Sequence, residues 1–277
     1  MLTTPKGLGD GAIAQYVFLN KNAKDSEPFS SIFFGWGCAV MFGVYLAEGI
    51  SGAHMNPAVT IAFAVVKKFE WRKVPKYIFA QMFGGFFGGL LVFVQYFDRL
   101  VISGELVLED HYRGIFATYP HPDTSVGGRV VDQLVTPFLL LLIVSCLVDQ
   151  KNKSAPPPGV TPILVGCSVL SIGLSFGINT GIPLNPARDL APRVMTAILG
   201  YDHVFSAFDY YCWIPVICPI VGATLGAGTY VLLIEQPNSK LTFYDLNNGD
   251  SLCIKTEEKA DTKNEAVVEE MVNMLPA

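Results

Sequence analysis

Charge is scarce in this chain, and its scarcity excludes more than any single motif proves. Only 16% of the 277 residues are Asp, Glu, Lys or Arg, against 51% hydrophobic, and the mean hydropathy is +0.41. A soluble domain usually carries about 25% charged residues, so the balance is that of a chain with little wetted surface. Histidine is scarcer still: His54, His111, His121 and His203 stand in unrelated segments. With no Ser/His/Asp set, metal-ligand cluster or phosphate-binding glycine loop, the chain does not read as an enzyme. No cofactor and no metal are expected. The six cysteines (Cys38, Cys146, Cys167, Cys212, Cys218 and Cys253) show no paired spacing. Five of them sit in apolar segments, where a thiol behaves as a small hydrophobe, so no disulfide framework is implied. Basic excess is lacking too. The formal net charge is −5, and after residue 234 four lysines meet nine acidic residues. That balance argues against nucleic acid as a partner, and segment 235–277 is expected to be a solvated, disordered tail.

What the chain has instead is long apolar runs. Segments 29–50, 74–97, 130–148, 160–178 and 211–234 come near the length of about 17–25 residues that crosses a bilayer. A large soluble α/β core rarely offers five such runs separated by charged loops. Segments 56–66 and 185–199 are too short to cross alone and read as half-helices.

Both half-helices begin alike. Asn56-Pro57-Ala58 recurs as Asn185-Pro186-Ala187, 129 residues downstream. Asn suits a helix N-cap, and Pro suits the first turn, where its missing N–H would have no partner anyway. Two such starts inside apolar segments imply two half-helices entering a bilayer from opposite sides, and hence a pore.

Loop charge sets the expected orientation. Lys67, Lys68, Arg72, Lys73 and Lys76 face Glu70 alone, and the 149–159 connection carries Lys151 and Lys153. The positive-inside rule puts both loops in the cytoplasm. Loop 98–129 is then extracellular and the acidic tail cytoplasmic. Each half reads as a span, a re-entrant half-helix and another span, 29–97 in the first repeat and 130–234 in the second. An odd number of spans per half would invert one copy relative to the other. The first copy is short, however. In 1–28 only residues 8–19 are mildly apolar, with Asp10 among them. Twelve helical residues reach about 18 Å, against an apolar core about 30 Å thick, so most of a first span is expected to be missing.

The motifs resemble the aquaporin family, its glycerol-conducting branch in particular. Ser51-Gly52-Ala53-His54-Met55-Asn56-Pro57-Ala58-Val59 is similar to the family's first re-entrant loop, and Gly181-Ile182-Pro183-Leu184-Asn185-Pro186-Ala187-Arg188-Asp189 to the second. Asp189, Arg193 and Pro215 are each typical of aquaglyceroporins. The resemblance implies an all-α membrane protein, an inverted-repeat helix bundle with two re-entrant half-helices and five full spans instead of six. It also implies a homotetramer in a lipid bilayer, each protomer with its own pore.

Roles follow from chemistry and from the resemblance together. An N-cap Asn whose side-chain oxygen is held by its own helix keeps its amide as a fixed donor. Asn56 and Asn185 would thus present donors to water or a hydroxyl near the midplane. Extended chain before each Asn is tolerable in lipid only where it lines a cavity, so Ala53, His54, Ile182, Pro183 and Leu184 are expected to offer carbonyl acceptors. His54 itself is read as bracing its loop. Arg188 is the strongest single candidate, because an intramembrane Arg is costly and usually faces a water-filled path. Exclusion of protons and cations by such an arginine and by half-helix dipoles is already known for this family, and the resemblance implies it for this chain. The resemblance adds Trp36, 20 residues before Asn56, and Gly173 and Ile182, 12 and 3 residues before Asn185, as its partners in a constriction. Gly173 is expected to leave room there. Ile182 departs from the aromatic that family members usually carry at its position. Supporting roles fall to Glu48, bracing the first half-helix, and to Gln133, bonded to loop backbone. Asp189 and Arg193 are expected to pair behind Arg188.

The leading reading is a passive plasma-membrane channel for glycerol, other small neutral solutes and water, excluding ions and protons. Two alternatives stand beside it. One is a mainly water-selective channel, and the other is a non-conducting truncated isoform that regulates full-length channels by co-assembly.

Overall fold

A computed structural model describes residues 3–20, 29–102, 105–106, 110–157 and 159–236. Nearly all of it is helix: α1 (Thr3–Asn20), α2 (Ser30–Ser51), α3 (Pro57–Val65), α4 (Val74–Gln95), α5 (Phe97–Leu100), α6 (Asp110–Arg113), α7 (Val126–Leu147), α8 (Thr161–Thr180), α9 (Pro186–Ile198), a short left-handed turn α10 (Ala207–Tyr210) and α11 (Ile214–Tyr230). Strands β1 (Val101–Ile102) and β2 (Glu105–Leu106) form a small antiparallel hairpin. The compact unit ends at Val231. Of the unit that follows, residues 232–236 are helical, and the acidic tail from 237 lies outside the described residues.

Local sequence explains where the helices start and stop. Proline occupies the first turn of α3, α4, α8, α9 and α11, where its absent N–H costs nothing. Ser125 caps α7, its hydroxyl accepting from the Gly128 N–H at 3.1 Å. α2 and α8 both end on a glycine in the left-handed region, Gly52 at φ 70° and Gly181 at φ 71°, a conformation that other residues adopt only at a cost.

Among the described residues, five helices are long and apolar enough to span a membrane: Ser30–Ser51, Trp71–Gln95, Val126–Leu147, Thr161–Thr180 and Ala207–Glu235. Their surfaces suit lipid. On α4, Phe79, Phe83, Phe87 and Leu91 recur every four residues and are all exposed, Phe79 to 71%. Such a one-sided apolar stripe on the outside of a bundle has no use in water.

The packing is that of an inverted repeat. Half-helix α3 lies against α11, and half-helix α9 lies against α4, so each rests on the last span of the other half. α2 and α8 cross each other closely, with Gly37 meeting the Gly166 backbone. At Gly222 and Gly226, α11 is pressed so near the α7 carbonyls of Leu134 and Phe138 that a Cβ would collide with them. Glycine here permits the close crossing that membrane helices use in place of hydrophobic drive.

α1 occupies the place in the first half that α7 holds in the second, flanking α2 and α4 as α7 flanks α8 and α11. It begins at Thr3, five residues before the stretch expected from the sequence, and its 18 residues reach about 27 Å at 1.5 Å each. It is not among the five apolar spans: Thr3, Thr4, Lys6, Asp10, Gln15 and Asn20 together keep its hydropathy low. Lys6 and Asp10 are both fully buried, with Lys6 Nζ 2.7 Å from the Asp10 carboxylate.

Candidate functional site

The two re-entrant segments have one backbone conformation, used twice. From Gly52 through Ala53 and Met55 to Asn56, φ runs 70°, 48°, 48° and −152°. From Gly181 through Ile182 and Leu184 to Asn185 it runs 71°, 43°, 53° and −143°. A left-handed φ costs a non-glycine residue roughly 1–2 kcal/mol. Four such residues in symmetric positions persist because the surrounding bundle over-determines them, a pattern typical of functional sites.

Each segment delivers an asparagine to the start of its half-helix. Asn56 Oδ1 accepts from the Ala58 N–H at 2.8 Å, while Asn185 Oδ1 accepts from those of Ala187 and Arg188 at 3.0 and 3.3 Å. The amides then cross over. Asn56 Nδ2 donates to the Leu184 carbonyl at 2.9 Å, and Asn185 Nδ2 donates to the Met55 carbonyl at 2.8 Å. One amide hydrogen of each is thereby fixed on the opposite loop. An amide carries two, so a second remains for the cavity that both asparagines line.

That cavity holds about 140 Å³ of water-sized space. Its apolar wall comes from helix faces with four-residue spacing: Trp36, Val40 and Val44 on α2, Leu140 and Val144 on α7 with Val148 at its C-cap, Val165 and Val169 on α8. The polar side comes from both loops, Ala53 to Asn56 and Ile182 to Asn185, together with Arg188. A mostly apolar lining with one hydrogen-bonding strip suits a solute with a carbon face and a hydroxyl face.

Arg188 sits in the first turn of α9, only 5% exposed. Its guanidinium lies 4.7 Å over the Trp36 ring, and Lys6 Nζ approaches the same ring to 5.7 Å. Arg188 Nη1 and Trp36 Nε1 are both buried with no hydrogen-bond partner among the described residues. Buried donors left without a partner are rare and cluster where a structure serves a function.

Behind Arg188 stands a buried latch. Asp189 Oδ1 takes Arg193 Nε and Nη2, each at 2.9 Å. Asp189 Oδ2 accepts from Thr118 N at 2.8 Å and from its hydroxyl at 2.5 Å. Arg193 also donates to the carbonyls of Thr118 and Val204 at 2.6 and 2.7 Å. The expected Asp189–Arg193 pair is therefore present, and it fastens the 110–125 loop to the half-helix. At the other end His54 Nδ1 lies 3.2 Å from Thr60 Oγ1, amid the rings of Phe63, Phe69 and Tyr77. That placement matches a bracing role, although His54 also lines the cavity.

Three placements differ from expectation. The Glu48 side chain is exposed at the cavity and makes no hydrogen bond or ion pair among the described residues. Bracing there falls to Tyr77, whose hydroxyl donates to the Ser51 carbonyl at 2.9 Å. Gln133 reaches side chains and not loop backbone. Its Nε2 donates to Thr180 Oγ1 at 2.5 Å, because Thr180, the last residue of α8, lies between it and the loop. Gly173 does not line the cavity, since the Phe33 ring covers it. Pro57, Ala58, Pro186 and Ala187 are buried helix starts.

Sequence reasoning passed over Phe33, Thr118 and Lys6. Phe33 had a signal, lying one helical turn from Trp36 and so on the same face. Thr118 had none, being a single threonine in an irregular loop.

Comparison with known proteins agrees with this geometry. The family described as major intrinsic protein matches residues 9–230. Aquaporin-9 of Mus musculus is 41% identical over 237 residues, covering 84% of this chain and 79% of its own length. Aquaglyceroporin-3 of Trypanosoma brucei brucei is 37% identical, with 83% and 74% covered. Among solved structures, the aquaglyceroporin from Plasmodium falciparum superposes with a TM-score of 0.75 at 31% identity, over 84% of this chain and 92% of that one.

Proposed function

As this chain belongs to the major intrinsic protein family of membrane channels, we propose that it conducts glycerol, other small neutral solutes and water passively, and excludes ions and protons. One observation carries the reading. Two asparagines, crosswise bonded between half-helices, share a single cavity with Arg188 and an apolar wall. Water and polyols need a donor, acceptors and, for the polyol, a carbon-facing surface, and the cavity offers all three. The relatives are named as aquaporins and aquaglyceroporins, which favours the same solutes.

Ion exclusion follows from charge. The N-termini of α3 and α9 both end at the crossed asparagines, each carrying about half a positive charge. Arg188 adds a full one beside Trp36. A cation at that end of the cavity meets these positive charges, while the nearby carboxylates of Asp189 and Asp10 are taken up by Arg193 and Lys6. The two re-entrant half-helices, the constriction of Trp36, Ile182 and Arg188, and the carbonyls of Ala53, His54, Pro183 and Leu184 make up the functional set. The protein acts as a homotetramer in the plasma membrane, with the acidic tail and the lysine-rich 67–76 loop facing the cytoplasm.

Glycerol and water flux into proteoliposomes holding the purified chain, beside empty vesicles, tests the reading. Entry of both above the lipid background is expected, without a proton current. Well-inserted protein that passes neither would overturn it.

A further inference from the structure

The sequence leaves a gap at Gly173, and the structure fills it with a ring from another helix. Gly173 and Gly177 lie one turn apart on α8 and form a notch facing α2. Phe33 of α2 seats its ring in that notch. A Cβ built on Gly173 would lie 2.6 Å from Phe33 Cγ, and one on Gly177 would lie 2.6 Å from Phe33 Cε2. Contacts that short do not occur between real atoms, so the ring occupies space that only two glycines leave open. The ring edge meets Phe29 in a T-shaped contact at 5.1 Å, and Phe29 in turn meets Tyr16 of α1 at 5.7 Å. This chain of edge-to-face contacts holds the ring from behind.

Phe33 is 4% exposed, and it lines the cavity together with Trp36, Ile182 and Arg188, whereas Gly173 does not. The aromatic wall at this end therefore comes from two residues of α2, Phe33 and Trp36, and Ile182 adds only an aliphatic group. We propose that Phe33 is a further specificity-determining residue: its ring, seated in the Gly173–Gly177 notch, sets the width of the cavity beside Trp36 and Arg188. The inference rests on the channel reading above and names the residue that fixes its upper solute size. Removing the ring opens the notch to the cavity. Adding a methyl group at Gly177 pushes the ring into it.

The test compares uptake of glycerol and of xylitol, a longer polyol, by proteoliposomes of the full chain. In Phe33→Ala the xylitol-to-glycerol ratio rises about tenfold or more, the scale on which apolar pockets separate ligands by size. Phe33→Leu, which keeps most of the buried volume, gives an intermediate rise and carries the test if the alanine variant fails to insert. Gly177→Ala moves the ratio the other way and slows glycerol. A wild-type channel that passes glycerol, with the ratio unchanged in Phe33→Ala or Phe33→Leu, overturns the Phe33 assignment alone. A wild-type chain that passes no glycerol overturns the channel reading, and this inference with it.

Discussion

Lys6 and Asp10 face each other across 2.7 Å, fully buried in the first helix, one turn apart. Lys6 also donates to the Phe116 carbonyl at 2.7 Å, so the pair ties α1 to the loop that carries Thr118. Breaking a buried pair by deleting one partner leaves an uncompensated charge and costs about 3–5 kcal/mol. Lys6→Met is therefore expected to lower the thermal midpoint of the detergent-solubilised protein markedly. Lys6→Met with Asp10→Leu removes both charges and is expected to recover most of the loss, as read by fluorescence-detected size exclusion after heating. An equal loss in the single and double variants would contradict a charge-based role.

Arg188 contributes the positive charge nearest Trp36. Arg188→Ala is expected to raise proton leak and admit larger solutes, while the half-helix dipoles remain. Each 1.4 kcal/mol of barrier lost raises a flux about tenfold. A pH-sensitive dye inside the vesicles measures the leak. If solute selectivity and proton exclusion both stay at wild-type values, the constriction assignment is wrong.

Asn56 and Asn185 should behave as near equivalents, because their crossing amide bonds match in kind and differ by only 0.1 Å, 2.9 against 2.8 Å. Replacing either by Ala removes a cap worth about 1 kcal/mol and leaves a buried carbonyl unmet, at about 1–3 kcal/mol more. Both variants are expected to lose similar stability and to slow glycerol. The double variant should depart from additivity by about 0.5–3 kcal/mol, since the two residues share one network. Denaturation midpoints of the four proteins decide this.

Thr118 offers the sharpest test of the latch behind Arg188. Thr118→Val keeps the backbone donor to Asp189 but deletes the hydroxyl bond. A loss of about 1–3 kcal/mol is expected. Asp189→Asn, which leaves the buried Arg193 without its counter-charge, should cost more, about 3–5 kcal/mol. A latch of no consequence would show the two variants melting with the wild type.

Residues 56–66 and 185–199 were legible as half-helices because Asn and Pro mark a helix start in any context. The five long spans were legible because lipid demands uninterrupted apolar length. α1 was hard to see for the same reason in reverse. Its threonines, Gln15 and Asn20 lower its hydropathy along with Lys6 and Asp10, and only the fold reveals that the two charges pair with each other. Glu48 misled because a carboxylate near a helix end invites a partner, yet its side chain lies exposed at the cavity. Gly173 misled because a glycine reads as room, and sequence cannot say that a ring 140 positions earlier fills it. The left-handed φ values at Ala53, Met55, Ile182 and Leu184 had no signal at all. These residues show no preference for that conformation, and the bundle imposes it.

The crossed asparagine bonds put a clock on synthesis. Asn56 and Leu184 are 128 positions apart, and Asn185 and Met55 are 130. A ribosome adding roughly 5–20 residues per second takes on the order of ten seconds to make the second partner after the first. Through that interval the Asn56 amide and the Met55 carbonyl have no counterpart, and a polar group left bare in hydrocarbon costs several kcal/mol. The first re-entrant loop can therefore complete its bonds only after its twin has been made. The pace of translation, and not only the final energy, governs when the two halves can meet.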